Sequence, residues 1–365
     1  MPHATTRPRP EVKRNGSMPI VGVDLGDTHS HVCILDPASG DVMEQTRLRT
    51  RLEDVERCFA RQQCMRIALE VGTHSTWFSR TLEDLGHNVT VAHTARVRLI
   101  HGGRRKNDQL DAEKLARLLR YDRRLLVPIK HRSEEAQRDL AVLRSRRAVV
   151  RSRTLLVNHV RGVAKSFGFR IPKCETRIFA RHARDVIPRE VLPALEPTVD
   201  AIENLTTQVA ILDTRVRQLC RNTYPETALL TQVHGVAEIT ALTYILTLED
   251  PTRFARSRDV GPYLGLVPGQ KQSGGTDPTR GITKTGDRAL RTLLIECAQR
   301  ILGKRGIDSD LKRHGLKIAS VGTKAAKRRA VTAVARKLAV LLHRLWITGE
   351  VYEPLKNATP TAISA

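Results

Sequence analysis

Residues 18–24 read Met-Pro-Ile-Val-Gly-Val-Asp, a short apolar run that ends in a carboxylate. A run of this length, bounded by turn residues, is typical of a buried β-strand. Two further strand candidates, residues 32–35 and 42–48, follow closely with turn signals between them. Strands so close in sequence favour hairpins. The sequence therefore predicts an antiparallel start to a sheet, with Asp24 at the end of its first strand.

After residue 50 the pattern changes to alternating helices and strands. The candidates are helices near 52–62, 76–85 and 111–121, and strands at 67–69 and 89–92. Three hairpin-like strands followed by such α/β units are the order of an RNase H-like sheet, in which the first and fourth strands are neighbours. We therefore predict an α/β, RNase H-like (RuvC-like) N-terminal domain over residues 18–125.

Four carboxylates fall at the ends of these predicted elements. Asp24 and Glu70 each end a strand-like run, while Asp108 and Asp111 lie three residues apart where a helix-like stretch opens. A helix packed on the sheet could bring the last two acids above the first two. Converging acids repel one another unless a cation lies among them, and hard divalent ions take oxygen ligands. The pattern predicts a site for Mg²⁺ or Mn²⁺ that could act on phosphodiesters.

A second interpretation exists for residues 24–28, Asp-Leu-Gly-Asp-Thr. This segment is also similar to the phosphate-binding hairpin of actin-like ATPases and sugar kinases. Those chains need a second Gly-rich phosphate loop and an adenosine pocket. Residues 90–220 are helical in pattern and basic, and they offer neither. The metal interpretation is therefore favoured.

The charge of the chain indicates a polyanionic partner. The net charge is +24, and Lys and Arg outnumber Asp and Glu by 19 to 7 over residues 96–161 and by 17 to 4 over residues 278–347. Aromatic residues make up only 4%, so contacts to a nucleic acid backbone are favoured over base stacking. The candidate nucleic-acid-binding residues are Arg104, Arg105, Lys106, Arg280, Lys284, Arg288 and Arg291.

The cysteines and the chain ends bear on the cell compartment. The 6 cysteines are scattered without a C-x-x-C pair, which favours reduced thiols over zinc or disulfides. No apolar run approaches the ~18 residues of a membrane span. We expect residues 1–17 to be a disordered tail and residues 348–365 a loose one. The chain is therefore expected to be a cytoplasmic protein without a membrane partner.

Two long helices are predicted over residues 133–167 and 190–222, where apolar residues recur every three or four positions. This spacing favours an antiparallel helical hairpin or coiled coil over residues 130–222. An internal bundle and self-association both remain open. Residues 226–347 are predicted to form a mainly α C-terminal domain, with helices near residues 288–302 and 325–346. Its turn at His234-Gly235-Val236 is similar to a helix-hairpin-helix, although Ala237 stands where a second Gly is common.

A Gly-rich loop within this last domain contains Ser273, which is followed by two glycines. Such a backbone could present the Ser273 hydroxyl freely, with Arg280 and Lys284 nearby in sequence. However, a serine in a Gly-rich loop is usually a turn residue, and its hydroxyl is a poor nucleophile unless activated. Chemistry alone therefore leaves the role of Ser273 open.

Together these motifs resemble those of a known transposase class from bacterial insertion sequences, which includes the bridge-RNA-guided recombinases and the related Piv-type DNA invertases. The resemblance to its DEDD motif lies in Val21-Gly22-Val23-Asp24, Ala68-Leu69-Glu70 and Asp108-Gln109-Leu110-Asp111-Ala112. The resemblance to its serine-bearing C-terminal signature lies in residues 263–268, 272–275, 281–286 and 290–291.

The resemblance implies an RNA-guided DNA transposase or recombinase. Asp24, Glu70, Asp108 and Asp111 would bind the metal, and Ser273 would form a covalent phosphoserine link to DNA. A structured noncoding guide RNA would specify the double-stranded element and target DNA, and the helical hairpin would mediate homodimers and homotetramers. Three alternatives stay open: an RNA-independent site-specific DNA invertase, a metal-dependent RuvC-like nuclease or junction resolvase, and a non-catalytic nucleic-acid-binding protein.

Overall fold

The structure of the protein is a computed structural model that describes residues 18–93, 108–269 and 281–356, with only the backbone of Asp108. The chain divides into two compact units, one ending at His131 and the other beginning at Arg132. Several predicted features lie outside the described residues: the tail 1–17, the end of the chain from 357, Arg104, Arg105, Lys106, Ser273 and Arg280.

The described part of the first unit contains a five-stranded sheet in the order β3-β2-β1-β4-β5. The strands are β1 Ile20–Asp24, β2 His29–Leu35, β3 Val42–Arg49, β4 Arg66–Glu70 and β5 Asn88–Ala92. β1 to β3 pair antiparallel, whereas β1, β4 and β5 pair parallel. The predicted hairpin start and the predicted adjacency of the first and fourth strands are confirmed.

Helices cover both faces of this sheet. They are α1 Leu52–Phe59, α2 Ser75–Asp84 and α3 Asp108–Tyr121. Val21 and Leu69 pack with α1 and α2 on one face, while Ile20 and Ala68 pack with α3 on the other. This division follows from the alternation of side chains along a strand. Helix α3 begins at Asp108, three residues earlier than the predicted start at Asp111.

The described part of the second unit is helical. Its helices are α4 Glu134–Ser166, α5 Phe179–Val186, α6 Leu192–Gln218, α7 Thr227–Thr231, α8 Glu238–Leu248, α9 Val260–Tyr263, α10 Arg288–Leu302, α11 Asp310–Ala319 and α12 Lys324–Thr348. The long helices α4, α6, α10 and α12 agree with the sequence prediction, whereas α5 and α11 were not predicted. No helix within the described ranges combines the length and apolar composition needed to cross a membrane.

Helices α4 and α6 form the predicted antiparallel hairpin. At one end Leu140 of α4 packs with Val216 of α6, and at the other end Val160 packs with Val199. Between these apolar ends Arg146 donates to Asp213. Coiled-coil assembly of this hairpin with another subunit stays a prediction.

The C-terminal part of the second unit has its own apolar core around α12. Leu338 and Leu342 of this helix are fully buried against α8 and α10. Tyr244 of α8 is also fully buried, and its hydroxyl donates to the Ala339 carbonyl over 2.6 Å. This core holds α12 in place, so the side chains on the outer face of α12 have a fixed support.

Candidate active site

Two of the predicted acidic residues lie side by side at one edge of the sheet. Val23 of β1 is directly opposite Leu69 of β4 in a parallel pair, so the next residues, Asp24 and Glu70, end neighbouring strands. Adjacent strands are about 4.8 Å apart. Alternation along the strands places both carboxylates on the face covered by α3, and both residues are half-buried.

Helix α3 runs antiparallel to β4, which brings its first turn toward this edge. The Arg66 guanidinium at the start of β4 donates to the Leu119 carbonyl near the end of α3 over 2.9 Å. At the other side, a Cβ atom on Gly22 would lie only 1.9 Å from the Ala112 carbonyl oxygen. The helix backbone therefore rests directly on β1, and the helix begins above the strand ends that carry Asp24 and Glu70.

The fourth predicted acid, Asp111, is engaged on the surface of α3. Its Oδ1 accepts from Lys114 Nζ over 2.8 Å, and 34% of its side chain is exposed. Among the side chains that the structure describes, no three His, Cys, Asp or Glu groups lie close enough to hold a metal ion. The structure thus brings Asp24 and Glu70 together but does not group Asp111 with them. The four-acid metal site stays a prediction.

A polar chain at the same edge was missed by the sequence interpretation. Trp77 Nε1 donates to His74 Nδ1 over 3.1 Å, so His74 carries its proton on Nε2 and directs it to Asp27 Oδ1 at 3.1 Å. Asp27 follows β1 and His74 follows β4, and the two are 47 residues apart. Local spacing carries no signal for such a pair, because only the parallel pairing of the strands joins them.

Ser273 lies outside the described residues, but the chain on both sides of its loop is described. Gly269 N donates to the Gly281 carbonyl over 3.0 Å, and Thr283 N donates to the Val267 carbonyl over 2.9 Å. An isolated antiparallel bridge joins Pro268 to Ile282. We call residues 265–269 and 281–284 the serine-loop base.

Arg291 holds the serine-loop base in place. Only 8% of this residue is exposed, and its Nη1 donates to the Leu264 carbonyl over 3.0 Å and to the Thr285 carbonyl over 2.6 Å. Gly265, at a φ of +66°, makes this packing feasible, because a Cβ there would lie 2.3 Å from Thr285 N. The contacts give Arg291 a positioning role beneath the base. Of the other predicted phosphate-binding residues, Lys284 and Arg288 are exposed.

The turn before α8 has part of the predicted hairpin geometry. Gly235 adopts a φ of +88°, and Ala237 is extended. Arg300, Lys304 and Arg305 line a cavity of about 600 Å³ beside this turn. Phosphate binding there stays a prediction.

Two segments of the chain match models of known protein families. Residues 21–168 match the DEDD transposase model of the IS110 type, and residues 227–311 match the model described as Transposase IS116/IS110/IS902 family. The first match spans the four acids, and the second spans Ser273.

The chain belongs to the IS110/IS116 transposase family.

The chain is similar in sequence to individual relatives along most of its length. It is 29% identical to protein y4pF/y4sB of Sinorhizobium fredii over 88% of this chain and 84% of that protein. It is 27% identical to the transposase for insertion sequence element IS1328 of Yersinia enterocolitica, over 77% of this chain and 83% of that one. It is 28% identical to the transposase for element IS1111A of Coxiella burnetii, over 68% of each.

Membership in this family makes the chain a DNA-acting enzyme. Transposases cut and rejoin DNA, and a DEDD domain indicates the use of a divalent metal. Asp24 and Glu70 lie within the matched DEDD region, where the structure places them next to each other.

Proposed function

We propose that this IS110/IS116-family transposase is an RNA-guided recombinase that cuts and rejoins double-stranded DNA through Ser273. A divalent ion, Mg²⁺ or Mn²⁺, held by Asp24, Glu70, Asp108 and Asp111 would assist. The first unit would be RNase H-like, and the enzyme would act at the bacterial nucleoid as a homodimer or homotetramer. The observation that carries the proposal is the pairing of Asp24 and Glu70 below the first turn of α3.

The donor set at this edge fits a hard divalent ion. Asp24 and Glu70 offer carboxylate oxygens from neighbouring strands, and oxygen is the donor that such ions prefer. Asp108 is the first residue of α3, the helix that begins above the ends of β1 and β4. A bound ion would stabilise negative charge on the phosphate oxygens during cutting. Lys114 would moderate the charge of Asp111.

The serine-loop base supports Ser273 as the nucleophile. Ser273 is four residues after Gly269 in the sequence, so the chain connects it directly to this base. Lys284 of that base and Arg288, four residues later in the chain, are exposed and can bind phosphate. When the Ser273 hydroxyl attacks a DNA phosphate, its Oγ loses the proton and forms a bond to phosphorus. The P–O bond to one deoxyribose breaks, and its oxygen leaves with a proton as a hydroxyl.

The guide RNA and the assembly of subunits are supported by other features. A net charge of +24 with 4% aromatic residues suits shape and backbone recognition of nucleic acid, while base pairing reads the sequence. The hairpin exposes 65% of Leu155 on α4 and 57% of Ile211 on α6. Such exposed apolar side chains on a helical hairpin suit contacts with a second copy of the chain.

The test of the serine chemistry is a covalent adduct on denaturing gels with end-labelled DNA. Wild type with its co-purified RNA is expected to form the adduct, and Ser273→Ala is expected to form none. Thr276→Ala removes a hydroxyl from the same loop and is the matched control, which should keep the adduct. An adduct that persists in Ser273→Ala would overturn the nucleophile, and cutting without any adduct would favour the nuclease.

The test of the guide is sequencing of the RNA that co-purifies with the protein. One discrete RNA, with segments matching the ends of the element and its insertion site, supports the proposal. Recombination that survives removal of all RNA would favour the RNA-independent invertase.

A further inference from the structure

A large cleft runs along α12 in the C-terminal part of the chain. Its volume is about 1290 Å³. The outer face of α12 forms its floor, with Val340 and Leu341 supplying apolar surface. Its walls are α11, the serine-loop base and the segment 350–356. We call it the α12 cleft.

Cations dominate the rim of the α12 cleft. Among the described lining residues, Asp310, Glu350 and Glu353 are acidic. The basic ones are Lys284, Arg328, Arg329, Arg336, Lys337, Arg344 and Lys356. Glu350 pairs with Arg344 at 2.9 Å and with Lys356 at 3.2 Å. Within the described residues, the other five cations form no ion pair, so the cleft has an excess of positive charge to offer a ligand.

Arg336, one of the cations of the cleft, packs closely against a glycine. A Cβ atom on Gly261 would lie 3.3 Å from Arg336 Cγ and 3.4 Å from its Nε. The stem of Arg336 therefore packs against the start of α9. His314 also lines the cleft. Burial lowers the pKa of its imidazole, and the positive charges of Lys337 and Lys317 lower it further.

The size and composition of the cleft point to one class of occupant. Its volume exceeds the roughly 300–1,000 Å³ of small-molecule pockets. Tyr352 is the one Phe, Tyr or Trp side chain among its described lining residues, whereas unstacked single strands bind on several such rings. Fixed cations along a long groove suit a phosphate backbone instead. The serine-loop base forms one wall, so an occupant would contact the residues that flank the Ser273 segment in sequence.

We propose that the α12 cleft binds the sugar-phosphate backbone of one strand of duplex DNA beside the serine loop. This deepens the proposed function and rests on it, because the bound DNA is the substrate that Ser273 would cut. Arg336, Lys337 and Lys284 contact its phosphates. The contacts are independent of base sequence.

The test compares two double variants on the same helix. Arg336→Gln with Lys337→Gln removes two cations from the cleft, and Lys324→Gln with Lys327→Gln removes two exposed cations of α12 outside it. Both are made in Ser273→Ala protein carrying its RNA, so the readout is duplex binding alone. It does not depend on whether Ser273 forms a covalent bond.

The expected result concerns the slope of log affinity against log salt concentration. The cleft variant should lower this slope by about 1.8, because each phosphate contact contributes about 0.9. The control variant should leave the slope near that of the parent. Equal slopes for all three proteins would overturn the proposal. So would a cleft variant that binds RNA more weakly and duplex DNA unchanged.

A second measurement needs no variant in the cleft. Acetylation of surface lysines, read by mass spectrometry, is compared with and without duplex DNA. Protection of Lys284 and Lys337 with continued labelling of Lys324 supports the proposal. Labelling of Lys284 and Lys337 that DNA leaves unchanged refutes it, even where the adduct experiment on Ser273 succeeds.

Discussion

Substitution of Gly22 by alanine tests whether the close approach of α3 to β1 positions the acidic residues. An alanine Cβ at this position would lie 1.9 Å from the Ala112 carbonyl oxygen and 2.6 Å from Ala116 N. Both atoms belong to the helix backbone, so neither can rotate away. Ordinary carbon–oxygen contacts are at least about 3.3 Å, so α3 must move by about 1.5 Å.

Both stability and activity should respond to this shift. Overpacking of this kind costs about 1–3 kcal/mol in unfolding free energy. The first turn of α3 moves away from Asp24 and Glu70, and a displacement of about 1 Å at a catalytic site can reduce the rate about 100-fold. We expect Gly22→Ala to lose about 2 kcal/mol and about 100-fold in DNA cleavage per folded molecule.

The assay separates the first unit from the second. The chain has 2 tryptophans, so a Trp346→Phe background leaves Trp77 as the fluorescence reporter of the first unit during urea unfolding. The control is Gly72→Ala, where an added Cβ meets nothing within 4 Å. Wild-type stability and cleavage in Gly22→Ala would refute the packing argument. Lost stability with full cleavage per folded molecule would show that the position of α3 does not govern the chemistry.

The acidic pair, a buried imidazole and an arginine of the hairpin give further tests. Asp24→Asn or Glu70→Gln should reduce the rate of DNA cleavage more than ~100-fold. Loss of a residue that only supports a metal ligand costs at most about 100-fold, so a larger loss indicates a ligand. Full activity in either variant would refute metal binding there. Burial lowers the pKa of His343 below its unfolded-state value of about 6.5. The neutral imidazole therefore contributes stability above that pH, and this contribution is lost as the pH falls toward the lower folded-state pKa. Urea unfolding midpoints followed by Trp346 fluorescence should decrease over this range, and less steeply in His343→Gln. Arg184 pairs with Glu196, Asp200 and Glu203 at 2.8, 2.6 and 3.0 Å, so Arg184→Ala should lower the thermal midpoint more than Arg181→Ala, by a margin that shrinks at high salt. Equal midpoints would contradict that role.

Much of the fold was readable from local sequence patterns. The strands ending at Asp24 and Glu70 and the long helices of the hairpin follow from apolar periodicity, which depends only on neighbouring residues. Helix α11 was not predicted, because Gly315 interrupts its local pattern; in the structure Leu302 and Val334 occupy the space that a side chain at this position would fill. The predicted start of α3 was three residues too late in the sequence, because helix ends are weakly marked in sequence.

The sequence also selected residues of the candidate site but misassigned the role of one of them. Residue types and spacing were enough to select Asp24 and Glu70, but they also selected Arg291 as a phosphate contact. In the structure Arg291 is buried and holds the Leu264 and Thr285 carbonyls. That role depends on two segments 21 residues apart meeting around one side chain, which the composition of either segment does not reveal.

The sequence by itself determined which residues end the strands and helices and how much positive charge the chain carries, because these are properties of short segments and of composition. Only the tertiary structure decided that Asp24 and Glu70 share a face, that Gly22 lies against the backbone of α3, and that cations of α12 surround one cleft. These facts come from contacts between segments distant in the chain. They depend on how the apolar faces pack, and no short stretch of sequence contains that information.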